Sequence, residues 1–224
     1  LEVGGVQSRS QRPGWKIDWL KQGKNPIGGD EPGLSELIKR VVQKGSFKVV
    51  EDFRACGDAE AVLIGVQTPT DDKKTPMYES LREVCESIGK HMRQGTLIVI
   101  ESTVSPGTTN NVVKPLLEKS SGMKAGRDFS LAFCPERVMV GRLIKNLTEL
   151  PKIIGGIDEE STQRAMELYG HIVKAKIIPT DALTAEVAKV VENTYRDVNV
   201  AFANEVGLIC ESLGVDAFKV RELV

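Results

Sequence analysis

Ala61–Val66 reads AVLIGV, Thr96–Glu101 reads TLIVIE and Phe129–Cys134 reads FSLAFC. Each is a continuous apolar run of strand length. A half-solvated strand would alternate; a strand that is apolar throughout is covered on both faces. The segments between these runs have helical spacing: Met77–Met92, and Thr108–Lys119, where Pro115 is placed to kink the helix. Strand–helix–strand order with doubly buried strands specifies an α/β fold, a Rossmann-type doubly wound parallel sheet.

Outward from this centre the pattern continues. On the N-terminal side, Leu1–Gln7 is a weak strand broken by Gly4 and Gly5, and Ser8–Pro13 is a loop. Gly14–Gln22 is helical, with Trp15, Ile17, Trp19 and Leu20 to bury. GKNPIGGDEPG (Gly23–Gly33) is a loop dense in turn formers. Leu34–Gln43 is a helix, and Phe47–Val50 a short strand. On the C-terminal side, Lys152–Gly155 and Lys174–Ile178 are short strands around a helix at Glu159–Gly170.

The chain then enters Thr184–Leu213, TAEVAKVVENTYRDVNVAFANEVGLICESL. A helix of this length runs about 45 Å. Thr180 or Asp181 can cap it, and Gly214 sits where a left-handed residue ends it. In its first half Val187, Val190, Val191, Thr194 and Val198 share one side. Lys189, Glu192, Asn193 and Arg196 share the other, which periodicity assigns to solvent. Its second half is apolar all round and is expected to be buried against another domain or subunit. Two parts follow: residues 1–180, a Rossmann-type domain, and residues 181–224, a central helical region of an all-α dimerisation unit.

Composition excludes several classes. With 30 Lys and Arg against 31 Asp and Glu the net charge is −1, which gives no footprint for nucleic acid or an anionic membrane. No apolar run approaches the roughly 20 residues of a membrane span. Cys56, Cys85, Cys134 and Cys210 are scattered, which suits reduced thiols in a cytoplasmic protein and no metal site. The chain begins with Leu1 inside a strand and stops at Val224 inside a helix, and so reads as a fragment.

In parallel sheets ligands sit beyond the carboxyl ends of the strands. Three strands here end in small or polar residues: Gln67-Thr68-Pro69-Thr70, Ser102-Thr103 and Pro135-Glu136. Lys189 and Asn193, four apart, project together from the long helix. By spacing alone they are most simply a solvated pair. A lysine and an amide reaching into the crevice would instead serve an oxyanion or take a proton from an alcohol.

VQTPT (Val66–Thr70), ESTVSPGTT (Glu101–Thr109), FCPERVMVGR (Phe133–Arg142), KIIGG (Lys152–Gly156) and AEVAKVVENTYRDVNVAFANE (Ala185–Glu205) occur in this order. Together with GKNPIGGDEPGL they resemble the UDP-glucose/GDP-mannose dehydrogenase family of nucleotide-sugar 6-dehydrogenases, over nearly the whole chain. PERVMVGR is nearest the UDP-N-acetylmannosamine branch. The resemblance implies an NAD-dependent, two-step oxidation of the C6 alcohol of a UDP-sugar to the uronate; the apolar second half of the long helix, for its part, predicts a homodimer joined through it. It implies a cofactor site at Gln67, Thr68, Pro69, Thr70, Ser102 and Thr103. Thr103 would help hold a water and Glu136 would handle protons. Lys189 would stabilise the oxyanion and Asn193 would position substrate or water. Glu136, Arg137, Val138, Lys189 and Asn193 would face the substrate.

Two departures qualify this. No GxGxxG turn is present, and the end of the Leu1–Gln7 strand reads Gln7-Ser8-Arg9, without the carboxylate that usually reads the ribose. No cysteine sits in a glycine-rich loop, so the nucleophile the family uses would lie beyond Val224. In the usual strand order the absent first strand falls between Leu1–Gln7 and Ala61–Val66, so the 224 residues alone are expected neither to turn over nor to bind NAD tightly. Two alternatives stand beside the leading reading. One is a two-electron β-hydroxyacid dehydrogenase, whose helix also carries a Lys and an Asn four apart. The other is an inactive dimerising module.

Overall fold

The computed structural model describes residues 2–6 and 14–224. The expected loop at Ser8–Pro13 and the Gln7-Ser8-Arg9 strand end lie outside the described residues. The strands are β1 (Val3–Val6), β2 (Phe47–Val50), β3 (Ala61–Ile64), β4 (Leu97–Ile100), β5 (Ser130–Phe133), β6 (Lys152–Gly156) and β7 (Ile177–Asp181). The α-helices are α1 (Trp15–Lys21), α2 (Leu34–Gln43), α3 (Glu79–Gly89), α4 (Lys114–Ser121), α5 (Leu143–Glu149), α6 (Glu159–Gly170), α7 (Ala182–Leu213) and α8 (Ala217–Leu223).

Five strands form one sheet in the order β3-β4-β5-β6-β7, and β1 and β2 form a separate parallel pair. In β4, Ile98 and Ile100 face one core while Leu97 and Val99 face the other, and all four are buried. That explains the unbroken apolar run: alternate residues point to opposite faces and both faces are covered. Residues from α3, α4 and the start of α7 cover the first face, and α6 covers the second. Val6 packs against the first core, yet among the described residues β3 pairs with β4 alone, and Leu63 is 45% exposed.

Three local expectations change. β6 runs antiparallel to β5, with Phe133 opposite Gly155, so the sheet is mixed rather than wholly parallel. After β5 the chain does not cross back over a face. It stays at the strand ends through α5, so β6 starts at the edge where β5 stopped. β7 begins at Ile177 and continues through Pro179 to Asp181, later than Lys174–Ile178. As the outermost strand it tolerates a residue without N–H. Upstream of Pro115 the kink takes the form of a π turn at Thr109–Val113, because proline offers no N–H to the carbonyl four residues back.

α7 follows β7 without a loop. Asp181 caps it by accepting from the Thr184 N–H at 2.9 Å and hydroxyl at 2.6 Å, and Gly214 ends it at φ 67°. Its first turn lies on β6 so closely that a Cβ on Gly155 would stand 2.2 Å from the Asp181 carbonyl oxygen. From there the helix climbs the face of β6 and β5 towards the carboxyl edge of β5.

Candidate active site

β3, β4 and β5 are adjacent and parallel, so their ends open at one edge. There the Ser102 hydroxyl accepts from the Val66 N–H at 2.8 Å and donates to the Val66 carbonyl at 2.7 Å, fastening the end of β4 to that of β3. The Thr68 hydroxyl donates to the Thr103 carbonyl at 2.6 Å. Gln67, Pro69, Thr70 and Thr103 are exposed around this pair. Ser102 is therefore buried and committed to backbone, while Thr68 and Thr103 form one wall of the opening.

The other wall is Pro135–Val138. Lys189 Nζ donates to the Glu136 carbonyl at 2.6 Å, Arg137 pairs with Glu192 at 2.9 Å, and Arg196 lies 3.8 Å from Glu192. The Glu136 carboxylate accepts from the Arg137 N–H at 2.6 Å and meets Lys152 at 3.5 Å. Glu136, Arg137, Val138 and Asn193 are half-buried, with Asn193 one turn beyond Lys189. The structure thus joins Thr68 to Thr103, and Lys189 to Glu136.

Lys189 is 6% exposed and Glu186 wholly buried, whereas Val187 and Val191 are exposed. This reverses the face assignment from periodicity: the charged side of α7 faces the sheet. Burial lowers the Lys189 pKa from the ordinary lysine value, with Arg196 and Arg137 adding to the effect and Glu192 and Glu136 opposing it. A lysine so placed can hold negative charge on a substrate oxygen or exchange a proton with it.

Three residues that sequence reasoning did not single out support the site. Glu186 accepts from Gly107 and Thr109 of the loop after β4. Glu31, 7% exposed, accepts from the Gly141 N–H at 2.5 Å and the Leu143 N–H at 2.9 Å, holding the Val138–Arg142 loop at the start of α5. Lys152, over the Tyr169 ring at 4.7 Å, carries its charge to Glu136; Tyr169 in turn donates to Glu101 at 2.6 Å. Burial raises the Glu101 pKa, opposed by that hydrogen bond and by Lys152. The Cys134 and Cys85 thiols are each pushed up to about 12 by burial, and neither is an activated nucleophile.

Two family models match this chain: the NAD binding domain of the UDP-glucose/GDP-mannose dehydrogenase family over residues 13–173, and the central domain of the same family over residues 183–224. The chain belongs to the UDP-glucose/GDP-mannose dehydrogenase family. Among its relatives is the UDP-N-acetyl-D-mannosamine dehydrogenase of Pyrococcus horikoshii, 39% identical over 193 residues that make up 86% of this chain and 46% of that protein. The solved structure of UDP-D-ManNAc dehydrogenase from Pyrococcus horikoshii superposes with TM-score 0.92 at 37% identity, covering 99% of this chain and 51% of that one. The NDP-N-acetyl-D-galactosaminuronic acid dehydrogenase of Methanosarcina mazei superposes with TM-score 0.85 at 45% identity, covering 99% of this chain and 47% of that one. The chain spans about half the length of the curated relatives it matches. The family likeness carries the Rossmann-type expectation for the fold and outweighs the β-hydroxyacid dehydrogenase alternative.

Proposed function

We propose that the chain is the cofactor-binding and central-helix part of an NAD-dependent nucleotide-sugar 6-dehydrogenase acting on UDP-N-acetylmannosamine. The observation that carries this reading is the Lys189–Glu136 contact at the carboxyl end of β5, beside the Thr68–Thr103 wall. Residues 1–180 form the NAD-binding unit and residues 181–224 the central helical unit. Bound NAD supplies a hydride acceptor. Thr68, Pro69, Thr70 and Thr103 line its place beyond β3 and β4, with Gln67 exposed beside them and Ser102 holding the two strand ends together. These residues suit a nicotinamide riboside, being small and polar at a strand edge. The pyrophosphate-holding GxGxxG turn is not part of this sequence.

At the substrate side, the buried Lys189 ammonium holds the oxygen on which negative charge develops. Asn193 orients substrate or water, and Thr103 helps to hold the water. The Glu136 carboxylate exchanges protons with that water, and Arg137 and Val138 contact the substrate. For each alcohol converted to carboxylate, one water is consumed, two NAD are reduced and three protons are released. The test is an NADH-absorbance assay on the full-length protein with UDP-N-acetylmannosamine and UDP-glucose. Two NADH per UDP-N-acetylmannosamine is the expected result. Stoichiometry of one, or turnover of UDP-glucose alone, overturns the substrate.

The second half of α7 further supports a homodimer. Tyr195, Phe202 and Leu213 are 71%, 68% and 71% exposed, an apolar surface that a second copy of the same helix would cover. Placement in the cytoplasm is supported by the four free, buried cysteines. Among the described residues no helix is long and apolar enough to cross a membrane, and the near-neutral charge favours no nucleic-acid partner.

A further inference from the structure

Glu186 is a wholly buried carboxylate with three donors: the Gly107 N–H at 2.5 Å, the Thr109 N–H at 2.8 Å and the Thr109 hydroxyl at 2.7 Å. All three come from the loop that leaves the end of β4 at Ser102-Thr103. Both ends of that loop are themselves fixed. Tyr78 accepts from the Ser105 N–H at 2.8 Å and meets the Thr108 hydroxyl at 3.0 Å, and Gly107 turns at φ 90°. Thr109 is also fully buried.

Burying a carboxylate is unfavourable unless its oxygens are satisfied, and a leucine of similar size would hold α7 on the sheet without that desolvation. What the carboxylate adds is direction. Hydrogen bonds that a carboxylate oxygen accepts from backbone N–H groups are short and angle-dependent, so they fix where a helix sits along its axis. Glu186 stands three residues before Lys189, on the same side and one turn below. The next turns are tied to the loop after β5, by Lys189 to the Glu136 carbonyl and by Glu192 to Arg137.

We propose that Glu186 is a positioning residue for the dehydrogenation: it sets the axial register of α7 against the loop after β4 and thereby places Lys189 between Thr103 and Glu136. The proposal rests on the role of Lys189 given above. The groups facing Lys189 are Glu136 and Arg137 from the loop after β5, and Glu192 and Arg196 from its own helix. Glu186 makes the directed polar bonds that tie this part of α7 to the loop after β4.

The experiment uses the full-length protein and compares Glu186→Gln, Glu186→Leu and Thr109→Val. Three readouts are taken: the melting temperature, the kcat and KM for both substrates, and the titration of Lys189. Lys189 is followed by NMR of 13C-methylated lysines and assigned with Lys189→Arg. A displacement of about 1 Å can cost about 10²-fold in rate. Glu186→Leu, which packs but leaves the Gly107 and Thr109 donors unpaired, is expected to melt below the wild type and, where folded, to lose roughly 10- to 100-fold in kcat, with KM for NAD within about two-fold. Thr109→Val, which removes one of the three bonds, should lose about five-fold. In each Glu186 variant the Lys189 titration moves up towards the ordinary lysine value as the side chain becomes wetter. A folded Glu186→Leu with wild-type kcat and an unmoved Lys189 titration overturns the proposal. If both Glu186 variants fail to fold, Thr109→Val decides, and an unchanged kcat there overturns it too. Absence of turnover in the wild type with any nucleotide sugar is the separate failure of the proposed function, and the Lys189 titration then still tests the positioning.

Discussion

The two halves of α7 use the same helix in opposite ways. Up to Asn193 it turns Ala182, Ala185, Glu186 and Lys189 to the sheet and leaves Val187 and Val191 outside. From Tyr195 to Leu213 most of its large apolar side chains are exposed, and Cys210 is buried. The first half is held by directed polar bonds to two loops. The second offers area and no direction. A helix can thus carry directed polar bonds at one end and exposed apolar surface at the other. Small residues at 182 and 185 are what let the charged side approach the sheet.

The largest expected effect breaks the first half chemically. If the proposed activity holds, Lys189→Ala in the full-length protein should lower kcat by about 10² or more with little change in NAD affinity, the scale for losing a group that stabilises developing charge. Steady-state kinetics check this, and wild-type turnover would refute it. Next comes the second half. Phe202→Asp puts an unpaired charge where a second copy would sit, at a cost of about 2 kcal/mol, which is roughly 30-fold in the dissociation constant. Analytical ultracentrifugation should show the variant dissociating at concentrations where the wild type is dimeric, with an unchanged melting curve for the monomer. Equal dimerisation of both proteins would remove the distinction between the halves.

Gly155→Ala attacks the seat of the helix. Its Cβ would fall 2.2 Å from the Asp181 oxygen and 2.5 Å from the Asp181 carbon, both backbone atoms that cannot swing away. Overpacking of this kind costs about 1–3 kcal/mol. Urea unfolding should register that loss, and kcat should fall with it because the start of α7 carries Glu186 and Lys189. A stable variant with lowered kcat would show that the helix shifted rather than loosened.

Features written locally were legible in the sequence. The three apolar runs became β3, β4 and β5, and the Asp181 cap and Gly214 stop set the ends of α7 within the chain's own chemistry. The edge location of Gln67–Thr70, Ser102-Thr103 and Glu136 followed from three parallel strands ending together. What periodicity could not deliver were interactions whose partners are distant. Glu186 meets Thr109 across 77 residues and Glu31 meets Gly141 across 110. A buried charge counts as polar in any periodic reading, so valines outranked Lys189 as the inward face. The antiparallel turn into β6 was hidden for a related reason: the direction of a strand depends on whether the connection recrosses the sheet, and nothing in KIIGG encodes that. Yet the turn brings Lys152 to Glu136.

The smallest effect sharpens the comparison at the first residue of the bolted half. Asp181 accepts from the Thr184 hydroxyl and N–H, and those bonds, in that order, lower its pKa from the ordinary value of 3.8. Asp181→Ala should cost about 1 kcal/mol, the usual worth of an N-cap. The sign of the pH dependence follows from linkage. A depressed carboxylate pKa means that the unfolded chain binds more protons in the window between the two values, so stability rises with pH there. The Asp181 contribution is complete above the unfolded pKa and is lost as pH falls through the lower, folded one. Urea unfolding of the wild type and Asp181→Ala at pH 7 should therefore differ by the full amount, and the difference should shrink as the pH falls through the lowered, folded pKa. A difference between Asp181→Ala and wild type that persists undiminished in acid would mean that residue 181 holds the helix by packing against Gly155 rather than by its charge.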